Sequence, residues 1–199
     1  MGTSLIYRAT AGYELAMRAL YGRYYQDRQR AIAELIPTGA SVVDLCCGPA
    51  TLYTRYLRHT GTDYTGVDIN ERLLANLTRR GGRGLVCDLR GSDPLPRADY
   101  VLMHASLYHF LPDPAPIVDR MLAAANRQVI IAEPVRNLSD SNVRILAALG
   151  RRMTDPGVGE HASRFTEQTL DHFFAGYAHQ VHTRRPIAGG REKLYVLQA

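Results

Sequence analysis

Lysine is almost absent from this chain: of 24 basic residues in 199, only Lys193 is a lysine. The bias reads as genome composition rather than a binding design. The basic residues form no stripe or arm; the short groups at Arg79–Arg80, Arg151–Arg152 and Arg184–Arg185 are scattered, and the net charge is +5. That pattern argues against a nucleic-acid partner and for a solvated basic surface. Cysteine is scarce too, with three residues, two of them adjacent. This excludes a disulfide framework and fits a reducing compartment. Arg, Asp or Gly interrupts every apolar stretch before it reaches the length of a membrane span. The first ten residues lack the apolar segment of a secretory signal, so the expected location is cytoplasmic. There is no internal repeat and no low-complexity segment.

What is present is hydrophobic patterning, in 46% of the residues. One domain over 1–199 with a sizeable core is expected. SVVDL (41–45), DYTGVD (63–68), GLVCD (84–88), DYVLMH (99–104) and QVIIAE (128–133) are short and nearly continuously apolar. Strands buried on both faces of a parallel sheet read this way. Helices are expected between them at 50–58, 70–79 and 114–125, the second capped by Asn70. Flanking helices are expected over 11–36, 139–150 and 166–174, with a Pro- and Gly-containing loop at 153–163. The last two strands, 177–184 and 191–197, pair as an antiparallel hairpin across P-I-A-G-G. The fold class is therefore α/β, a Rossmann-like, mostly parallel sheet of seven strands flanked by helices. A helical cap (1–38) precedes a core (39–135), and helices and the hairpin (136–199) lie on the substrate side.

Ligands of open α/β sheets sit at the carboxyl ends of the strands. Strand 1 ends in Asp44 and C-C-G-P-A, strand 2 in Asp68, strand 3 in Asp88, strand 4 in His104 and strand 5 in Glu133. Any single aspartate there can be a cap or turn former; three in succession point to a ligand. The fingerprint G-x-G-x-x-G is missing, since only Gly48 is available and Pro49 follows it, which argues against a dinucleotide. A metal at Cys46–Cys47 would need two further ligands that the spacing does not prompt, so no metal is expected.

The ordered series resembles the class I S-adenosylmethionine-dependent methyltransferases. V-V-D-L-C-C-G-P-A stands where that family has D-x-G-x-G-x-G, Y-T-G-V-D-I-N at its ribose-binding acid, and V-C-D-L at its adenine-binding aspartate. A-D-Y-V-L-M-H-A-S-L-Y-H-F matches the fourth-strand block. Residues 13–30 are similar to the N-terminal helices of the ubiquinone and menaquinone C-methyltransferase branch. The resemblance implies S-adenosylmethionine as cofactor. Asp68 would accept both ribose hydroxyls and Asp88 the adenine amine, with Ile69 and Leu89 on the ring faces. Asp44 would orient the loop or a water, and His104 would lie at the cofactor's edge. Tyr13 would close over the methionine portion or simply pack its helix. Cys46 would take the first glycine position and Gly48 the point of closest backbone approach. Ala50, at a helix start, would replace the glycine cheapest to lose.

Methyl transfer needs positioning and desolvation, with a base only where the nucleophile loses a proton. His109 is the candidate base or a packed histidine, and Glu133 orients a substrate, takes a proton or is structural. Tyr108, Arg136 and Arg164 are candidates for the acceptor pocket; each arginine either pairs an acidic group or makes a surface salt bridge. Asp155 and His161 lie in the loop beside them. The chain lacks the [N/D]-P-P-aromatic block of amino-methylating nucleic-acid enzymes, the cysteine nucleophile of RNA cytosine-C5 enzymes near strand 4, and the K-D-K-E set of ribose 2′-O enzymes. What remains is a small-molecule acceptor methylated on O, N or C, in a monomer or homodimer. The alternative is a protein of this fold that binds S-adenosylmethionine without methylating, or diverts it to another reaction such as cyclisation.

Overall fold

The computed structural model describes residues 24, 26–135 and 164–199. Seven strands form one sheet in the order β3-β2-β1-β4-β5-β7-β6. They are β1 (Ser41–Leu45), β2 (Asp63–Asp68), β3 (Arg83–Val86), β4 (Ala98–His104), β5 (Ala125–Pro134), β6 (Val181–Ile187) and β7 (Glu192–Gln198). β1 to β5 are parallel, and β7 runs antiparallel to both β5 and β6. The Rossmann-like α/β class expected from the apolar runs is the fold observed.

Helices α1 (Asp27–Ala33), α2 (Glu71–Thr78), α3 (Ala115–Ala124) and α4 (Glu167–Ala175) flank the sheet. Alternation of side chains along each strand divides the core into two clusters, one per face. Val43, Leu45, Val101, Met103, Val129 and Ile131 pack with Leu107, Val118, Met121, Leu170 and Phe174. Val42, Tyr64, Leu102 and Ile130 pack with Ile32, Leu52, Leu57 and Leu77. This is why the strands read as continuous apolar runs: both faces are covered.

Two expected elements differ. The helix at 50–58 contains a π-helical turn over Tyr53–Leu57, where Arg58 N–H reaches the Tyr53 carbonyl at 2.9 Å. The hairpin turn lies at 188–191 rather than across P-I-A-G-G, and Pro186 stands inside β6. β6 is the sheet's outermost strand, the place where a missing N–H costs no ladder bond. Asn70 caps α2 as expected, its side chain accepting from Arg72 N–H at 3.1 Å and Leu73 N–H at 3.3 Å.

Gly66 is the close contact in this scaffold. A Cβ there would lie 2.6 Å from Leu77 Cδ2 and 2.7 Å from Cys47 Sγ, and both of those side chains are buried. Gly66→Ala is expected to lower unfolding free energy by about 1–3 kcal/mol through overpacking. Denaturant melts of the two proteins check this, and an unchanged midpoint would show that Leu77 and Cys47 move aside freely.

Candidate active site

Register brings the strand ends to one edge. Leu45 pairs with Val67 on one side and Met103 on the other, and Ala132 pairs with His104. Cys46, Asp68, His104 and Glu133 therefore follow or end their strands together.

The loop after β1 takes the left-handed conformation at three alternate residues: φ is 54° at Cys46, 53° at Gly48 and 50° at Ala50. These are the three positions where the family pattern D-x-G-x-G-x-G has glycine. Ala50 is therefore not the cheap loss expected at a helix start; the backbone asks the same of all three, and Cys46 and Ala50 each bear a Cβ penalty of roughly 1–2 kcal/mol. A Cβ built on Gly48 would meet nothing within 4 Å, so space is kept there for a ligand's approach. Asp68 holds the same glycine: its Oδ2 accepts Gly48 N–H at 2.9 Å and its Oδ1 accepts Asn70 N–H at 2.9 Å. Each oxygen keeps a lone pair for a hydroxyl donor.

Asp44 is fully buried, and its Oδ2 accepts the Tyr64 hydroxyl at 2.5 Å and lies 3.5 Å from His104 Nε2. Asp44 Oδ1 and both ring nitrogens of His104 are buried without a hydrogen-bond partner among the described residues. Orphaned acceptors and donors at one strand edge are what a site built for a polar ligand holds. Burial, then the carboxylates of Asp68 and Asp44, push the Cys46 thiol up to about 12. Burial, then Asp44 and Asp68, raises Cys47 as well. Neither is a nucleophile at neutral pH. Among the described residues no group of three His, Cys, Asp or Glu side chains could hold a metal.

Asp88 lies two residues past β3 and is exposed; Arg90 donates from its backbone N–H and Nε to Oδ1, and from Nη2 to Oδ2 at 2.8 Å. Those bonds hold its carboxyl below the usual carboxylate range. Ile69 is 47% exposed, whereas Leu89 is 5% exposed and belongs to the core cluster. Of the two candidates for the adenine faces, only Ile69 is open.

Glu133 is 1% exposed. Its Oε1 accepts Ser106 N–H at 2.5 Å and Leu107 N–H at 2.7 Å, and its Oε2 is buried without a partner. Burial raises its pKa to about 7, against the lowering effect of those two amides and of Arg28 and Arg164. The two amides open the 3₁₀ turn Leu107–Phe110, so Glu133 seats the turn that carries Tyr108 and His109. The His109 and Tyr108 rings lie 4.0 Å apart, and the Arg164 guanidinium covers the Tyr108 ring at 3.7 Å. Crowding of the His109 ring, then the Arg164 charge, hold its pKa below the ordinary histidine value. Glu133, Tyr108, His109 and Arg164 thus form one group beside the loop of Gly48. Tyr13, Arg136, Asp155 and His161 lie outside the described residues, as do the helix expected at 139–150 and most of the one at 11–36.

Sequence reasoning missed Tyr64, which satisfies Asp44 from the neighbouring strand, and Arg120, discussed below. Neither carries a motif; only the register and the α3 packing reveal them. A separate cleft of about 230 Å³ between α1 and β6, lined by Asp27, Arg30, Glu34, Arg185 and Ile187 among others, contains none of the site residues.

A family model described as a methyltransferase domain matches residues 16–182. The fold is shared with magnesium protoporphyrin IX methyltransferase from Synechocystis, solved with bound SAH, at a TM-score of 0.65 and 16% identity over 96% of each chain. An O-methyltransferase family 2 protein from Planctomyces limnophilus, in complex with apigenin, gives 0.60 and 17% identity over 94% of this chain and 61% of that one. A SAM-dependent methyltransferase from Aquifex aeolicus gives 0.60 and 13% identity over 86% and 89%. No curated protein matches the sequence. At these identities the structural likeness speaks for the fold, while the family match spans most of the chain and agrees with the motif series. The chain belongs to the methyltransferase domain family, within the class I S-adenosylmethionine-dependent methyltransferases.

Proposed function

We propose that this enzyme methylates a small molecule bearing an acidic or hydroxyl-rich group, in a pocket bordered by Tyr108, His109, Glu133 and Arg164. The observation that carries the reading is the Glu133 clasp on the Ser106 and Leu107 amides, which seats the His109 turn at the edge that also holds Asp68 and Gly48. The bound cofactor supplies an electrophilic sulfonium methyl group. Asp68 binds the ribose hydroxyls with its remaining lone pairs, and Asp88 accepts the adenine amine beside the exposed Ile69. The space over Gly48 and the orphaned Asp44 and His104 atoms receive the methionine portion.

On the acceptor side, His109 takes the proton of an O–H or N–H nucleophile. Its depressed pKa keeps the ring neutral, hence basic, at physiological pH. Arg164 pairs an anionic group of the acceptor, and the Tyr108 ring beneath it gives an aromatic wall. Magnesium protoporphyrin IX and apigenin, named with two proteins of the same fold, are aromatic small molecules, which supports this acceptor class. The same proposal keeps 1–199 as one domain, with 39–135 holding the cofactor and the acceptor lying between Tyr108, His109 and Glu133 of that core and Arg164 of the 136–199 segment.

Incubation with S-adenosylmethionine and a panel of aromatic acids, phenols and amines tests the reading by S-adenosylhomocysteine release and product mass. Tight cofactor binding with no homocysteine product across the panel would favour the binding-only alternative. Asp68→Ala is expected to weaken S-adenosylhomocysteine binding by about 1.5–3 kcal/mol, the loss of hydrogen bonds to a charged acceptor. Titration calorimetry measures it, and an unchanged affinity removes Asp68 from the site.

A further inference from the structure

Arg120 stands in α3 and sends its guanidinium across to the turn that follows β3. Nη1 donates to the Leu89 carbonyl at 2.7 Å and to the Gly91 carbonyl at 2.8 Å, and Nη2 donates to the Asp93 carbonyl at 2.5 Å. Among the described residues its Nε is buried without a partner, and its other donors go to main-chain carbonyls and to no carboxylate. An arginine spent on three main-chain carbonyls fixes a backbone path rather than a charge. The path it fixes begins at Asp88. Gly91 N–H closes a turn on the Asp88 carbonyl at 3.0 Å, and among the described residues the exposed Asp88 side chain is held by Arg90 alone. α3 itself is anchored in the core by Ile117, Val118 and Met121, all at most 3% exposed. The turn has no regular structure over 92–97 and few buried side chains of its own. Leu89 and Leu95 anchor the turn in the core at either end, and Arg120 ties the exposed stretch between them to α3.

We propose that Arg120 is a positioning residue for the cofactor, acting through the 88–93 turn to set how well the protein holds the adenine end. The proposal rests on the assignment of Asp88 to the adenine amine. A pre-set turn spares the ordering cost that a loose one would incur when the cofactor binds. Arg120 touches no reacting atom, so its effect falls on cofactor affinity and not on the chemical step.

The test is a double-mutant cycle on S-adenosylhomocysteine affinity with Asp88→Ala and Arg120→Ala, read by calorimetry. Arg120→Ala is expected to weaken binding about tenfold, the scale of one hydrogen bond's net worth. The double variant should bind no more weakly than Asp88→Ala alone, because Arg120 acts through that residue. The KM for S-adenosylmethionine should rise while kcat at saturating cofactor and the KM for the acceptor hold. Arg120→Lys, which keeps the stem and charge but reaches fewer carbonyls, should fall between the two. It carries the comparison if the alanine variant folds poorly. Additive penalties, or a loss in kcat without a loss in affinity, overturn the proposal. If Asp88→Ala alone leaves affinity unchanged, the adenine assignment itself fails, whatever Arg120 does.

Discussion

Replacing His109 by alanine is expected to lower kcat by about 10²–10⁴-fold on an acceptor whose O–H or N–H must lose a proton, the usual contribution of a positioned base. The residue sits on a turn whose backbone is seated by two short bonds from the Ser106 and Leu107 amides to Glu133, and its side chain is exposed to an acceptor. Cofactor affinity should be unaffected, because none of the groups around Asp68 and Gly48 depends on it. The pH profile separates a base from a packing role. Burial and the Arg164 charge lower the His109 pKa. The wild-type rate should therefore rise with pH through a value below the ordinary histidine range and then level. The alanine variant should lose that limb. A residual rate with the same limb would assign the proton to another group, and an unchanged kcat would leave His109 as a packed side chain.

The second large effect concerns stability. Glu133 is a carboxyl with an ordinary pKa of 4.5 raised to about 7 by burial. Between those two values the folded protein holds a proton that the unfolded chain has released. Stability therefore falls as pH rises across this window and is level above it. The fall amounts to about 3 kcal/mol. Glu133→Gln keeps an oxygen for the Ser106 and Leu107 amides and removes the titrating proton. The wild-type protein should thus lose about 2.5 kcal/mol relative to the variant between pH near 5 and pH near 8, the rest of the fall lying below pH 5. Urea melts at both pH values give the difference, and other carboxylates cancel in it. Parallel pH dependence of the two proteins would mean that water or a polar neighbour solvates Oε2. In the same experiment, methyl transfer by the glutamine variant shows whether Glu133 does more than seat the turn.

The two effects are linked through one carboxyl. Its ionised form accepts the turn's amides best, while burial favours the proton. The Arg164 charge lowers the pKa of both Glu133 and His109. An anionic acceptor paired with Arg164 would cancel part of that charge and raise both.

Much was legible in the sequence because it depends on local pattern. Runs such as SVVDL and QVIIAE announce strands covered on both faces, and Asn70 before an apolar-periodic stretch announces a cap. An acid at the end of each of three successive strands marks the ligand edge, since parallel topology carries every strand end to the same side. Other features have no local signature. The left-handed φ at Cys46 and Ala50 is imposed by the turn between β1 and the following helix, against the preference of both residues. Leu89 is drawn into the core by its neighbours, leaving Ile69 open. Tyr64 finds Asp44 across the β1–β2 register, and Arg120 finds the β3 turn from 27 to 31 residues away in sequence.

The chain's own sequence thus determined the strand order's raw material, the family and which acids stand at the carboxyl edge of the sheet. These follow from hydrophobic period and residue type at fixed spacing. Only the tertiary structure decided which carboxyl is buried enough to hold a proton near neutral pH, which of Ile69 and Leu89 stays exposed, and which arginine ties the turn after β3 to α3. Burial, desolvation and long-range hydrogen bonds exist only once the sheet and helices have met.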